Sequence, residues 1–152
     1  MIKKALIVAL ALLPLAGFAK CTEFPVDLYD AYATTVAQDD EALYAYISIR
    51  NRDNVPHTIS EVSSMTNAPR SVLFQAYASN ADDDNIMLGE AEEIVVPPRD
   101  GIYMFRPNHT RIVLSGYKDR PNPGETIDLT LTFADGCSET MTGIPVQDPA
   151  GE

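Results

Sequence analysis

The chain has no tryptophan, two cysteines and two histidines, and its 11 lysines and arginines face 22 aspartates and glutamates. Each shortage excludes something. A formal net charge of −11 leaves no basic surface for the phosphates of nucleic acid or for anionic lipid. No segment has the length and 3.6-residue period of a helix, and eleven prolines argue the same way against a helical bundle. There is no HExxH pair, no glycine-rich phosphate loop and no GxSxG elbow. No internal repeat or linker divides the chain, and 152 residues fit one domain. An apolar fraction of 45% is ordinary for a globular protein, so the mature chain has the material for a core.

Residues 1–19 read as an export signal. Lys3 and Lys4 form a basic start, Ala5 to Leu13 is an unbroken apolar run, and Gly17 and Ala19 are the small residues before a cut after Ala19. The run is shorter than the ~20 residues of a spanning helix, so no membrane anchor is expected after cleavage. Lys20 stands where a lipoprotein signal needs a small residue before its cysteine, so Cys21 is not expected to be acylated. The short Lys-Lys start is of bacterial type, and the periplasm is the expected location. Cys21 and Cys137 are an even pair in an exported chain and are expected to form a disulfide. A copper-binding thiolate pair is the weaker alternative, since such pairs stand close together in sequence.

The mature chain reads as short β-segments. In 43–50, Leu43, Ala45, Ile47 and Ile49 alternate with Tyr44, Tyr46, Ser48 and Arg50. In 126–133, Ile127, Leu129, Leu131 and Phe133 alternate with Thr126, Asp128, Thr130 and Thr132. Segments 57–63, 71–78, 93–97, 101–106 and 110–117 read as further strands between turn-rich stretches. Residues 27–37 read as a first strand and 139–146 as a last. The expectation is an all-β, cupredoxin-like sandwich or barrel of about eight or nine short, mostly antiparallel strands. It occupies 20–146, with a flexible tail at 147–152.

Candidates for chemistry are few. Ser115 and Lys118 match S-x-x-K, but at a strand end rather than on a helix, so the match is read as chance. Asp82-Asp83-Asp84-Asn85 lacks the alternation and the turn glycine of a calcium loop and reads as a solvated loop tip. Enzymatic activity is not expected. The soft donors say more, because thioether and imidazole together suit monovalent copper. Met104 shares the parity of Ile102 and is expected in the core. Met87, between Asp82–Asn85 and Gly89-Glu90, is expected at an exposed strand end.

In order and spacing, 42–51, Val72-Leu73-Phe74-Gln75, Ile94–Pro98, Arg111–Tyr117 and Ile127–Phe133 resemble the periplasmic copper chaperones called PCu(A)C. The resemblance spans roughly 27–146 and implies a cupredoxin-like fold. It also implies a cargo of monovalent copper passed to a periplasmic protein acceptor, typically a respiratory oxidase copper centre. The family's ligands are a His, a Met and a His-x-Met pair. Here the first His falls at Gln75, the Met is kept at Met87, and the pair falls at Arg111 and Val113. His109, two residues before Arg111, is the nearest replacement imidazole. Met87, His109 and Gln75 are therefore the candidate copper ligands, and Arg111 is an unfavourable cation beside them. The alternative implied by the lost ligands is a metal-free member acting as a periplasmic protein-binding or scaffolding module.

Overall fold

The structure is a computed structural model; it describes residues 21–80, 83–91 and 93–149, and the side chains of 77–92 are left aside. The export signal and Asp82 lie outside the described residues. Ten strands form the chain: β1 (Val26–Val36), β2 (Asp39–Asn51), β3 (His57–Ser63), β4 (Ser71–Asn80), β5 (Asp83–Ala91), β6 (Ile94–Val96), β7 (Gly101–Met104), β8 (Thr110–Ser115), β9 (Thr126–Phe133) and β10 (Ser138–Gln147). They pair in the order β5-β4-β8-β2-β1-β10-β9-β3-β6, with β7 on β2. All pairings are antiparallel except β1 with β10, which joins the two halves through Ala33 opposite Val146 and Thr34 opposite Gln147.

Alternation decides what is inside. Leu43, Ala45, Ile47 and Ile49 of β2 turn inward with Ile112 and Leu114 of β8 and Phe74 of β4. Ile127, Leu129, Leu131 and Phe133 of β9 belong to the same core, with Ile59 of β3 and Ile144 and Val146 of β10. The chain curls until its apolar faces meet, which removes them from water at about 25 cal/mol per Å². Cys21 and Cys137 are disulfide-bonded, tying the segment before β1 to the β9–β10 turn across 116 positions. For a loop of that order the chain-entropy model gives about 4–5 kcal/mol, an upper figure.

The all-β, mostly antiparallel expectation holds, and four narrower expectations need correction. Among the described residues there are ten strands, the nine read from the sequence and β5, which was not legible. Asp83, Asp84 and Asn85 lie within β5, Asp83 opposite Asn80, so the acidic stretch closes a hairpin and is not wholly a loop. For the same reason Met87 lies in the middle of β5 rather than at its end. Met104 is not in the core: it is 46% exposed, and Ile102 is 48% exposed. The two do share parity, but β7 pairs with β2 so that Met104 faces Ser48 and Ile102 faces Arg50, on the outer side. The inward positions of this stretch are Tyr103 and Phe105. Finally, β10 continues through Gln147, so the chain is still in the sheet where a tail was expected.

Candidate functional site

Two features bear on function, and both adjoin the turn between β7 and β8. The first is on the outer face. Gln75 of β4 is the cross-strand partner of Arg111 of β8, and Arg111 Nε donates to Gln75 Oε1 at 2.8 Å. The guanidinium carbon of Arg111 lies 3.6 Å from the centre of the Tyr44 ring, a cation–π contact on β2. Arg111 is only 9% exposed, although it sits on the non-core side of its strand. Stacking and hydrogen bonding hold its planar group in one orientation, which a lysine ammonium would not reproduce.

Beside this pair is a groove of about 500 Å³. Tyr32, Tyr44, Tyr46 and Arg111 line it, together with residues 34–38, Pro107, Asn108 and Pro149. A β-bulge makes it possible. The register of β1 on β2 slips between Tyr29, opposite Ser48, and Tyr32, opposite Tyr46, and Asp30 takes a positive φ of 50° there. Tyr29 and Tyr32, three apart, thus share one side of the sheet. The Tyr32 and Tyr46 rings then pack at 5.1 Å between centres. Burial raises the Tyr32 pKa, so its hydroxyl stays a neutral donor. Asn108, at φ 64°, turns the chain between β7 and β8 in the left-handed conformation that asparagine tolerates.

The second feature is at the sheet end where that turn lies. Arg106 and Thr110 bridge across it, and His109 is exposed at its side. His109 Nδ1 lies 3.2 Å from Thr110 Oγ1, which in turn is 2.7 Å from Tyr103 Oη. The Tyr103 ring is 6.1 Å from that of His109 and 5.1 Å from that of Phe105. Met87 is the partner of Ala78 on β4, two residues beyond Ala76, which pairs with Thr110. Register therefore brings Met87 and His109 to the same end of the sheet. Met87 also has the register parity of Phe74 and Thr110, whereas Gln75 has that of Arg111. Gln75 thus does not share a sheet side with Met87. Among the described residues, no group of three or more His, Cys, Asp and Glu side chains stands ready to hold a metal ion.

A family model, LpqE-like, matches residues 26–146. The chain belongs to the LpqE-like family. This family is related to PCuAC domains, and solved PCuAC structures share the fold. The copper-bound PCuAC domain from PmoF2 superposes with a TM-score of 0.65 at 17% identity, covering 82% of this chain and 94% of that one. The apo PCuAC domain from PmoF1 gives 0.65 at 17%, covering 82% and 95%. Apo-DR1885 from Deinococcus radiodurans gives 0.57 at 19%, covering 85% and 83%. No curated protein matches the sequence significantly. The LpqE-like description is of a lipoprotein. In this LpqE-like chain Cys21, two residues past the expected cut, is bonded to Cys137. Among the described residues, no helix is long and apolar enough to cross a membrane.

The groove tyrosines were missed in the sequence, although one signal was there. The outward positions of the 43–50 strand carry Tyr44 and Tyr46, where the outward positions of 126–133 carry threonines.

Proposed function

We propose that this LpqE-like protein is an exported, copper-chaperone-like module whose family metal site has given way to a hydrogen-bonded Gln75–Arg111 pair. It acts in the periplasm by binding a partner, without resident metal and without an enzymatic step. One observation carries the reading: Arg111 Nε donates to Gln75 Oε1 at 2.8 Å, at the two positions where the resemblance implies copper-ligating histidines. A guanidinium is a permanent cation, and a second cation a few ångströms from it in a partly buried site is strongly disfavoured. Val113, in place of the last methionine, offers no donor atom. The test is a titration of the disulfide-oxidised protein with monovalent copper against a competing chelator. The expected result is no binding above that of a metal-free β-domain. Stoichiometric binding would overturn it.

A second reading keeps copper as cargo. The shared sheet end of Met87 and His109 favours it, because one thioether and one imidazole suit monovalent copper and leave it open to transfer. The acceptor is then a periplasmic protein such as a respiratory oxidase copper centre. This reading predicts binding that falls sharply in both Met87→Ala and His109→Ala, and it fails if either variant binds copper as the parent does.

A further inference from the structure

Away from the groove, the turn between β3 and β4 holds an apolar side chain in water. Met65 is 84% exposed, the most exposed large apolar residue among those described. Its loop is pinned on both sides. The Met65 amide lies 3.1 Å from both carboxylate oxygens of Asp128 on β9, and the Thr66 amide donates to Oδ1 at 2.8 Å. The Ser64 and Thr66 hydroxyls donate to the same oxygen, and Thr66 Oγ1 accepts from the Asp128 amide at 3.1 Å. Just beyond, Asn67 (φ 52°) and Ala68 (φ 42°) turn the chain, and Asn67 Nδ2 donates to the Asp119 carbonyl at 2.8 Å. None of these bonds uses the Met65 sulfur. The other described methionine side chains are less open: Met104 is 46% exposed, and Met141 is packed against the core. Thioether oxidation makes an apolar group polar, which disrupts a core but not a solvated tip.

We propose that Met65 is a site of reversible oxidation, taking oxygen from a peroxide and losing it to a methionine sulfoxide reductase while the protein stays folded. In the forward step a sulfur lone pair attacks one peroxide oxygen. The S–O bond forms as the O–O bond breaks, sulfur loses two electrons, and the second oxygen leaves as water. In the return step two reductase thiols become a disulfide and the sulfoxide oxygen leaves as water. The Asp128 clamp is made by amides and hydroxyls, so it is the same before and after. Oxidation therefore changes the surface of this loop without loosening it. The inference stands apart from the copper and metal-free readings, since it involves no residue of either.

The test treats the disulfide-oxidised protein with limiting hydrogen peroxide and maps sulfoxides over time by peptide mass spectrometry. Met65 is expected to oxidise about twofold faster than Met104, in line with their exposures, and on the order of tenfold faster than Met141. The oxidised protein is expected to keep the parent's denaturant midpoint. Reductases for the two sulfoxide epimers are expected to restore Met65 without denaturant. Met65→Leu is expected to delete the faster-forming sulfoxide and to leave the midpoint and the rates at Met104 and Met141 unchanged. Oxidation of Met104 or Met141 as fast as that of Met65 would overturn the inference. So would a midpoint that falls as Met65 sulfoxide accumulates, or a Met65 sulfoxide that the reductases reach only after unfolding.

Discussion

Strands β2 and β9 have the same inner face and opposite outer ones. Inward, Leu43, Ala45, Ile47 and Ile49 on β2 and Ile127, Leu129, Leu131 and Phe133 on β9 are all at most 1% exposed. Outward, β9 presents a polar ladder, with Thr130 Oγ1 2.8 Å from Thr140 Oγ1 and Thr132 Oγ1 3.1 Å from Ser138 Oγ. The outward side of β2 instead presents Tyr44, Tyr46 and Ser48, and Tyr46 and Ser48 are buried. Period-two alternation reports that one face is buried. Whether the other face meets water is reported by residue type: threonine satisfies itself along a solvated sheet, while tyrosine marks a face that something covers or binds.

The largest effects should leave the two strands alike. Ile47→Ala and Leu129→Ala each remove a fully buried side chain, and each is expected to cost about 2–5 kcal/mol in denaturant unfolding. A loss well below that range at either position would show that the two halves do not share one core. The outer faces should then separate. Tyr46→Ala is expected to cost about 2–3 kcal/mol, through lost ring packing on Tyr32, while Thr130→Ala stays within about 0.5 kcal/mol. Equal costs at these two positions would dissolve the contrast between a covered face and a bare one.

The smallest effect concerns pH and the outward side of β9. Burial pushes the Asp128 pKa up, but hydrogen bonds from the Thr66 hydroxyl, the Met65 and Thr66 amides and the Ser64 hydroxyl outweigh it and hold the group below the usual carboxylate range. The unfolded chain then takes up this proton more readily than the folded one as pH falls. Stability from Asp128 is therefore complete above the ordinary carboxylate pKa and drains away as pH drops through the lowered folded value. Asp128→Asn is expected to flatten this acid limb in unfolding curves collected across mildly to strongly acidic pH. An unchanged limb would remove Asp128 from the acid response. No such limb is expected from Tyr44→Phe on β2, whose outward side holds its cation by ring stacking instead.

Much of the fold is legible in the chain because burial on one face imposes a pattern on neighbouring residues. The strand at 126–133 was readable to the residue, since its inward apolar positions alternate without a break, whereas in 57–63 Ile59 and Val62 stand three apart across a register shift. The strand Asp83–Ala91 was not, because its acidic start looks the same at a hairpin tip as in a loop. The outward placement of Met104 was hidden for a related reason: alternation gives parity but not which parity faces the core. The disulfide was legible from two cysteines in a chain that reads as exported, a matter of chemistry and compartment rather than of geometry.

The sequence by itself determined an all-β chain, a pair of cysteines able to cross-link it and an excess of acidic charge. Those follow from composition, local period and residue identity. Only the tertiary structure decided which distant residues meet on the outer face. Gln75 and Arg111 are 36 positions apart, and Tyr32 reaches Tyr46 only through a bulge at Asp30. Their meeting depends on strand register, which is set by how the whole sheet curls to close its core and not by any residue near them in the chain.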